Sequence, residues 1–369
     1  MTETNVKERF KNVDFLRFIL AVIIVMFHGK NASVLPTTIF PTLKHCNICV
    51  DFFFIISGFF LFKNIKPEDT FSFCKKRFLR LAPMIWLVIL FTFIVSLLVK
   101  EASFSFDGNI LRCLLLAHIS LAPSTGENMR LGATWFVPVL FWTSIFYFYI
   151  HKIFAKKYLN LIIWLIIIFS YTLYYSNNNF GTGGHTKTIY HFANIGVLRG
   201  LAGIGIGYFI LMLYKSDFLK KCSKFGKITI TIIEGFLISF LSYYMLFTTK
   251  LPGKSGFLYI VTFTILFYLF LIKQGFISKI LENNIWTTLG NSSYSIYIMH
   301  FPMLRVLHFT LYQHFATFVN SHLIFVFVLQ TIFAVIFGII IHYIFEKPIN
   351  RFIKKKFLQP AQSTIEMQK

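Results

Sequence analysis

Long apolar runs, broken at intervals by basic and turn-forming residues, dominate the chain and predict helices that cross a bilayer. About 20 mostly apolar residues suffice for one crossing. Read this way the sequence yields ten spans, over 15–35, 47–63, 81–99, 133–153, 158–176, 190–214, 227–248, 256–273, 292–313 and 321–345. Between the third and fourth lies 110–121, apolar but too short to cross, which suits an interfacial or re-entrant helix. The expected fold is all-α: a polytopic membrane protein of about ten transmembrane helices. No repeat or low-complexity tract interrupts it, so 1–358 reads as one integral-membrane domain and 359–369 as a short cytoplasmic tail.

Charge then sets the expected orientation. The basic clusters at 7–11, 63–80, 152–157, 215–227 and 347–356 all fall on one side if both termini are cytoplasmic, and the other side carries only scattered Lys and Arg. The net charge of +22 thus follows from topology and calls for no nucleic-acid partner. A hydrophobic fraction of 56%, a charged fraction of 14% and a mean hydropathy of +0.68 exclude soluble and disordered classes. The basic N-terminus and the apolar stretch 15–27 imitate a secretory signal. No small-x-small cleavage site follows, and Asp14, Arg17 and His28 interrupt the run, so it reads as a retained helix.

Cys46 and Cys49 form a CxxC pair beside His45, but a structural metal site wants four ligands and no second cluster exists, so no metal is expected. The ionisable residues inside the spans carry more information, because each is costly in hydrocarbon unless it faces the bundle interior. Arg17 and His28 are eleven residues apart, which places them on one helical face and about 16 Å apart along the axis. Asp14 and Asn31 fall near the same stripe. A neutral His28 imidazole suits a general base; the same position equally suits a packed histidine, and Arg17 equally suits a snorkelling arginine. Arg77 and Arg80, in the first basic loop, point the same way and suit the phosphates of a cytosolic cosubstrate, or serve as ordinary positive-inside anchors. The second span carries Asp51 near one end and the small Ser57-Gly58 pair near its middle, with no nucleophile-elbow pattern around the serine. The ninth offers Tyr297 and His300 on one broad face, the latter a second candidate base. Arg199 and Arg305 line a polar cavity, pair with Asp51, or snorkel outward.

Six segments in order resemble the acyltransferase-3 family of integral-membrane acyltransferases, which modify bacterial surface glycans. They are Asp14-Phe15-Leu16-Arg17 with His28; Val50-Asp51-Phe52-Phe53-Phe54-Ile55-Ile56-Ser57-Gly58; Arg77-Phe78-Leu79-Arg80-Leu81-Ala82-Pro83; Thr134-Trp135-Phe136; Leu289-Gly290-Asn291-Ser292-Ser293-Tyr294-Ser295-Ile296-Tyr297 with His300; and Glu346-Lys347-Pro348. The resemblance implies an acyl donor, usually acetyl-CoA, engaged from the cytoplasm, and a sugar hydroxyl on a lipid-linked or surface glycan as acceptor. It implies Arg17 and His28 as the catalytic pair, Arg77 and Arg80 as coenzyme-phosphate contacts, and the bacterial inner membrane as location. Many members carry a glutamate five positions after the tryptophan of the fourth segment, where this chain has Leu140. The rival reading is a transporter or flippase, which buried Arg and His would also suit; no paired halves or repeated interrupted helices support it.

Overall fold

The computed structural model describes residues 8–32, 43, 45–98, 108–117, 133–177, 188–189, 193–216, 224–248 and 256–358. Its helices are α1 (Lys11–Ala32), α2 (Cys49–Lys63), α3 (Thr70–Leu98), α4 (Gly108–Leu114), α5 (Phe136–Ile153), α6 (Lys156–Asn177), α7 (Ile195–Lys215), α8 (Lys224–Phe247), α9 (Gly256–Ile272), α10 (Phe276–Ile280), α11 (Asn284–Asn291), α12 (Ser293–Ser321), α13 (Leu323–Ile341) and α14 (Lys347–Ile353). A π-helical turn, His342–Glu346, joins α13 to α14. Two short strands, β1 (Thr188–Ile189) and β2 (Ala193–Asn194), pair antiparallel just before α7. The fold is an all-α polytopic membrane bundle. Among the described residues, eight helical stretches are long and apolar enough to cross a bilayer. The expected ten add α9, apolar but only 17 residues long, and α12, whose His300, Arg305 and His308 dilute its apolar character.

Several boundaries differ from expectation, among them the end of α12, at Ser321 where 313 was expected, and the starts of α3 and α7. Helix α3 begins eleven residues before the expected span, so Arg77 and Arg80 stand on a helix and not in a loop. The cause is local: the Asp69 carboxylate accepts the Ser72 backbone N–H at 2.9 Å, and hydrogen bonds from Ser72 hold that carboxyl below its usual range. Helix α7 begins at Ile195, capped by the Asn194 side chain, which accepts from Gly196 N at 2.7 Å. Of the short 110–121 segment, residues up to 117 are described. They hold the end of α4, whose neighbouring carbonyls accept indole N–H groups from Trp86 (Leu114 O, 3.0 Å) and Trp142 (Leu116 O, 2.7 Å).

The helix ends sort into two groups. Glu8, just before α1, meets Lys63 at the end of α2 and Tyr214 near the end of α7, while Lys273 after α9 pairs with Glu282. At the other end Leu43 N donates to Met245 O near the end of α8, and Asn47 O accepts from Arg199 near the start of α7. Packing between α2 and α7 is close because small residues line it. A Cβ on Gly58 would sit 2.4 Å from Ile204 O, and one on Gly207 would sit 2.4 Å from Phe59 N. In a bilayer, where apolar surface gains little by leaving lipid, such backbone approach is what holds helices together.

Candidate active site

Helix α1 presents the candidate groups along its length. Near its start Asp14 accepts from Arg9 Nε at 2.8 Å, and Arg9 also reaches Asn291 Oδ1 at 2.8 Å. The end of α11 packs directly against this point, since a Cβ on Gly290 would lie 2.5 Å from the Asp14 Cβ. The first and fifth sequence segments therefore meet in space. Arg17 Nη1 approaches Asp14 Oδ1 at 3.4 Å, and the charges of Arg80 and Glu346 both reach its guanidinium.

Glu346 sits in the π-helical turn, buried, where its Oε2 accepts the Ser295 hydroxyl at 2.5 Å and contacts His342 Nδ1 at 2.7 Å. Insertion of one extra residue per turn re-aims side chains, which is why π turns are frequent at functional sites. Next along α12, the Tyr294 hydroxyl donates to Leu81 O at 3.0 Å, the residue after Arg80. Helices α1, α3, α12 and the turn after α13 thus converge on one polar level containing Arg17, Arg80, Ser295 and Glu346. Arg77 lies a turn away on α3, half-buried, with its guanidinium 5.3 Å from the Phe73 ring centre; Arg80 is exposed.

His28 occupies a second level, about 16 Å further along α1. Its ring stands 5.0 Å from that of His300, with Phe27 and Phe301 edge-on to it. His300 is fully buried, and its Nδ1 lies 2.6 Å from Tyr297 O. The Tyr297 hydroxyl donates to Ala133 O at 2.8 Å, and its ring packs on Phe53 and Phe136. Gln330 Nε2 donates to Gly29 O at 2.9 Å and so fixes the backbone beside His28.

A third cluster is closed. Asp51 and Arg199 form a two-pronged ion pair (Nε to Oδ1 3.0 Å, Nη2 to Oδ2 2.6 Å) with side-chain exposures of 2% and 1%. Nη2 also donates to Asn47 O at 3.0 Å, and Trp135 and Tyr174 present ring faces to the guanidinium at 5.1 and 5.8 Å. Of the three alternatives for Arg199, pairing with Asp51 is the one adopted. Trp135 is therefore part of this block, and Leu140, buried, leaves that wall of α5 without a carboxylate. Ser57 neighbours Gly58, which makes the close helix contact; Arg305 follows His300 on α12, half-buried.

The structure thus brings Arg17 together with Asp14, Arg80 and Glu346, and His28 together with His300 and Tyr297, while Asp51, Trp135 and Arg199 stand apart. Asn31 lies where its side chain is outside the described residues. Among the described residues no three His, Cys, Asp or Glu gather as a metal would need; Cys46 and Cys49 turn their thiols to Met245. Sequence reasoning passed over Arg9, Gln330 and His342. An amide inside the very apolar α13, and a histidine four residues before a buried glutamate, were the available signals.

Fold and site together define a polytopic membrane protein with ionisable groups arrayed through its interior. The acyltransferase domain of the acyltransferase-3 family matches residues 10–347. The chain belongs to that family and is a membrane acyltransferase. No curated protein and no solved structure matches it.

Proposed function

We propose that the protein is an O-acyltransferase of the bacterial inner membrane that moves an acyl group, acetyl by preference, from acyl-CoA to a sugar hydroxyl. The acceptor is a cell-envelope polysaccharide or its lipid-linked precursor. One observation carries this reading: a single helix bears Arg17 beside Arg80 and Glu346 at one level, and His28 beside His300 about 16 Å further on. Two reactants that meet from opposite faces of a membrane need two such stations.

The basic residues of α3 and Arg17 hold the phosphate-bearing donor, since guanidinium groups match phosphate oxygens in paired hydrogen bonds. A thioester is already activated, so the protein has mainly to position it, exclude water and remove a proton from the attacking hydroxyl. His28 takes that proton as the oxygen–carbon bond forms and the carbon–sulfur bond breaks, then returns it to the thiolate of the leaving coenzyme. The aromatic wall of Phe27, Phe53, Phe136 and Phe301 keeps the region around the two histidines dry.

The test is incorporation of label from acetyl-CoA into envelope glycan by membranes holding the native chain or equally abundant His28→Ala. General-base removal is expected to lower transfer by about 10²- to 10⁴-fold. Equal labelling in both would remove His28 from the chemistry, and no labelling in either, with several glycans and other acyl-CoA donors offered, would overturn the reading.

A further inference from the structure

A histidine that serves as a base is normally held by a third group that fixes its tautomer and accepts from its second nitrogen. Elsewhere this partner is commonly a carboxylate. Among the described residues, the rings in contact with His28 are those of Phe27, His300 and Phe301, and of these His300 alone offers a lone pair.

The state of His300 follows from its surroundings. Its Nδ1 lies 2.6 Å from the carbonyl oxygen of Tyr297, which only accepts, so Nδ1 carries the proton and Nε2 the lone pair. That Nε2 is buried and has no hydrogen-bond partner among the described residues. A buried acceptor left unpaired is costly, which marks it as held ready for a donor. The nearest ring able to supply an N–H is that of His28, with ring centres 5.0 Å apart and planes tilted by 38°. Two imidazoles joined by an N–H···N bond have about this separation, so a small rotation of either ring closes it.

We infer that His300 is the positioning partner of His28: its Nε2 accepts the N–H of the His28 ring, orienting the opposite nitrogen toward the acceptor hydroxyl and stabilising the imidazolium formed when that proton arrives. This rests on the acyl-transfer reading above. The proton balance is unchanged, because the His28 N–H is shared and not transferred. Gln330 and Tyr297 complete the arrangement, the first by fixing the backbone at Gly29 and the second by supplying the carbonyl that sets the His300 tautomer.

The experiment compares full-length native protein with His300→Phe, which keeps the ring volume, and His300→Gln, which keeps an acceptor near the Nε2 position. Two readouts are taken: kcat and donor KM for acetyl transfer to envelope glycan, and the rate of His28 modification by diethyl pyrocarbonate, followed by peptide mass spectrometry. His300→Phe is expected to lower kcat about 10- to 100-fold with donor KM unchanged and to slow His28 modification several-fold; His300→Gln should recover part of both. Added to His28→Ala, His300→Phe should cost nothing more, because the two act as a unit. An unchanged modification rate overturns the inference whether or not kcat falls, since His300 would then act without His28. If the native protein transfers no label at all, the functional reading fails, and the modification rate still decides the histidine pair.

Discussion

Arg199 and Arg17 are both arginines inside the bundle, and their surroundings are opposite. Arg199 is fully buried, engages Asp51 with both prongs, donates to Asn47 O and lies against two aromatic faces. Its Nε and Nη2 groups are both engaged at short range. Arg17 retains 28% side-chain exposure and has one long contact, 3.4 Å, to an Asp14 that Arg9 holds more tightly. The charges of Arg80 and Glu346 both reach Arg17. An intramembrane charge is therefore no mark of a reaction site by itself; what distinguishes the two is whether the guanidinium's hydrogen bonds are already made.

The strongest way to break that comparison is Arg199→Met. It should strand the Asp51 carboxylate and cost about 3–5 kcal/mol, seen as a large fall in Tm in detergent. Adding Asp51→Leu should restore much of it, because removing both charges also removes their desolvation cost. Arg17→Gln should leave Tm unchanged and raise donor KM about 10- to 100-fold, the effect of losing a hydrogen bond to a charged group. A drop in Tm with KM intact would move Arg17 to the structural side of the comparison.

Gly58→Val sharpens the same contrast from the packing side. The added carbons meet backbone at Ile204, so α2 and α7 must separate, at about 1–3 kcal/mol, and the Asp51–Arg199 pair that bridges them loosens. Transfer measured below the lowered Tm should fall less than stability does.

The smallest effect belongs to the exposed pair near α1. Burial alone would raise the Glu8 carboxyl, but the hydrogen bond and charge of Lys63, with the Tyr214 hydroxyl, outweigh it and hold it below its ordinary 4.5. A carboxyl lowered in the folded state stabilises above its unfolded value and loses that contribution as pH falls through the folded one. Acidification from pH 6 through the range below about 4.5 should therefore weaken this contact in the native protein and not in Glu8→Gln, by less than about 1 kcal/mol because Glu8 is half exposed and screened. Paired Tm measurements at the two pH values check it.

Much of this was legible in the residue order. The apolar runs marked the crossing helices, and eight stand on length and composition alone. The spacing of Arg17 and His28 put them on one face, and six short segments pointed to the family that residues 10–347 match. The start of α3 was misplaced because hydropathy registers where a helix becomes apolar, whereas Asp69 sets where it begins.

The sequence by itself thus determined that the chain is an all-α polytopic membrane protein, which ionisable groups its apolar helices carry and which family it joins, because these depend on local composition and fixed spacing. Only the tertiary structure decided how those groups are paired. Asp51 and Arg199 are 148 residues apart in the chain, and nothing in either helix records that they pair. The same holds for His28 against His300 and for Ser295 against Glu346. The reason is physical: surfaces facing lipid and surfaces facing protein are similarly apolar, so hydropathy shows that a helix is buried without showing against what. Close approach through Gly58, Gly207, Gly290 and their neighbours selects the partners, and with them which charges are closed and which stay open.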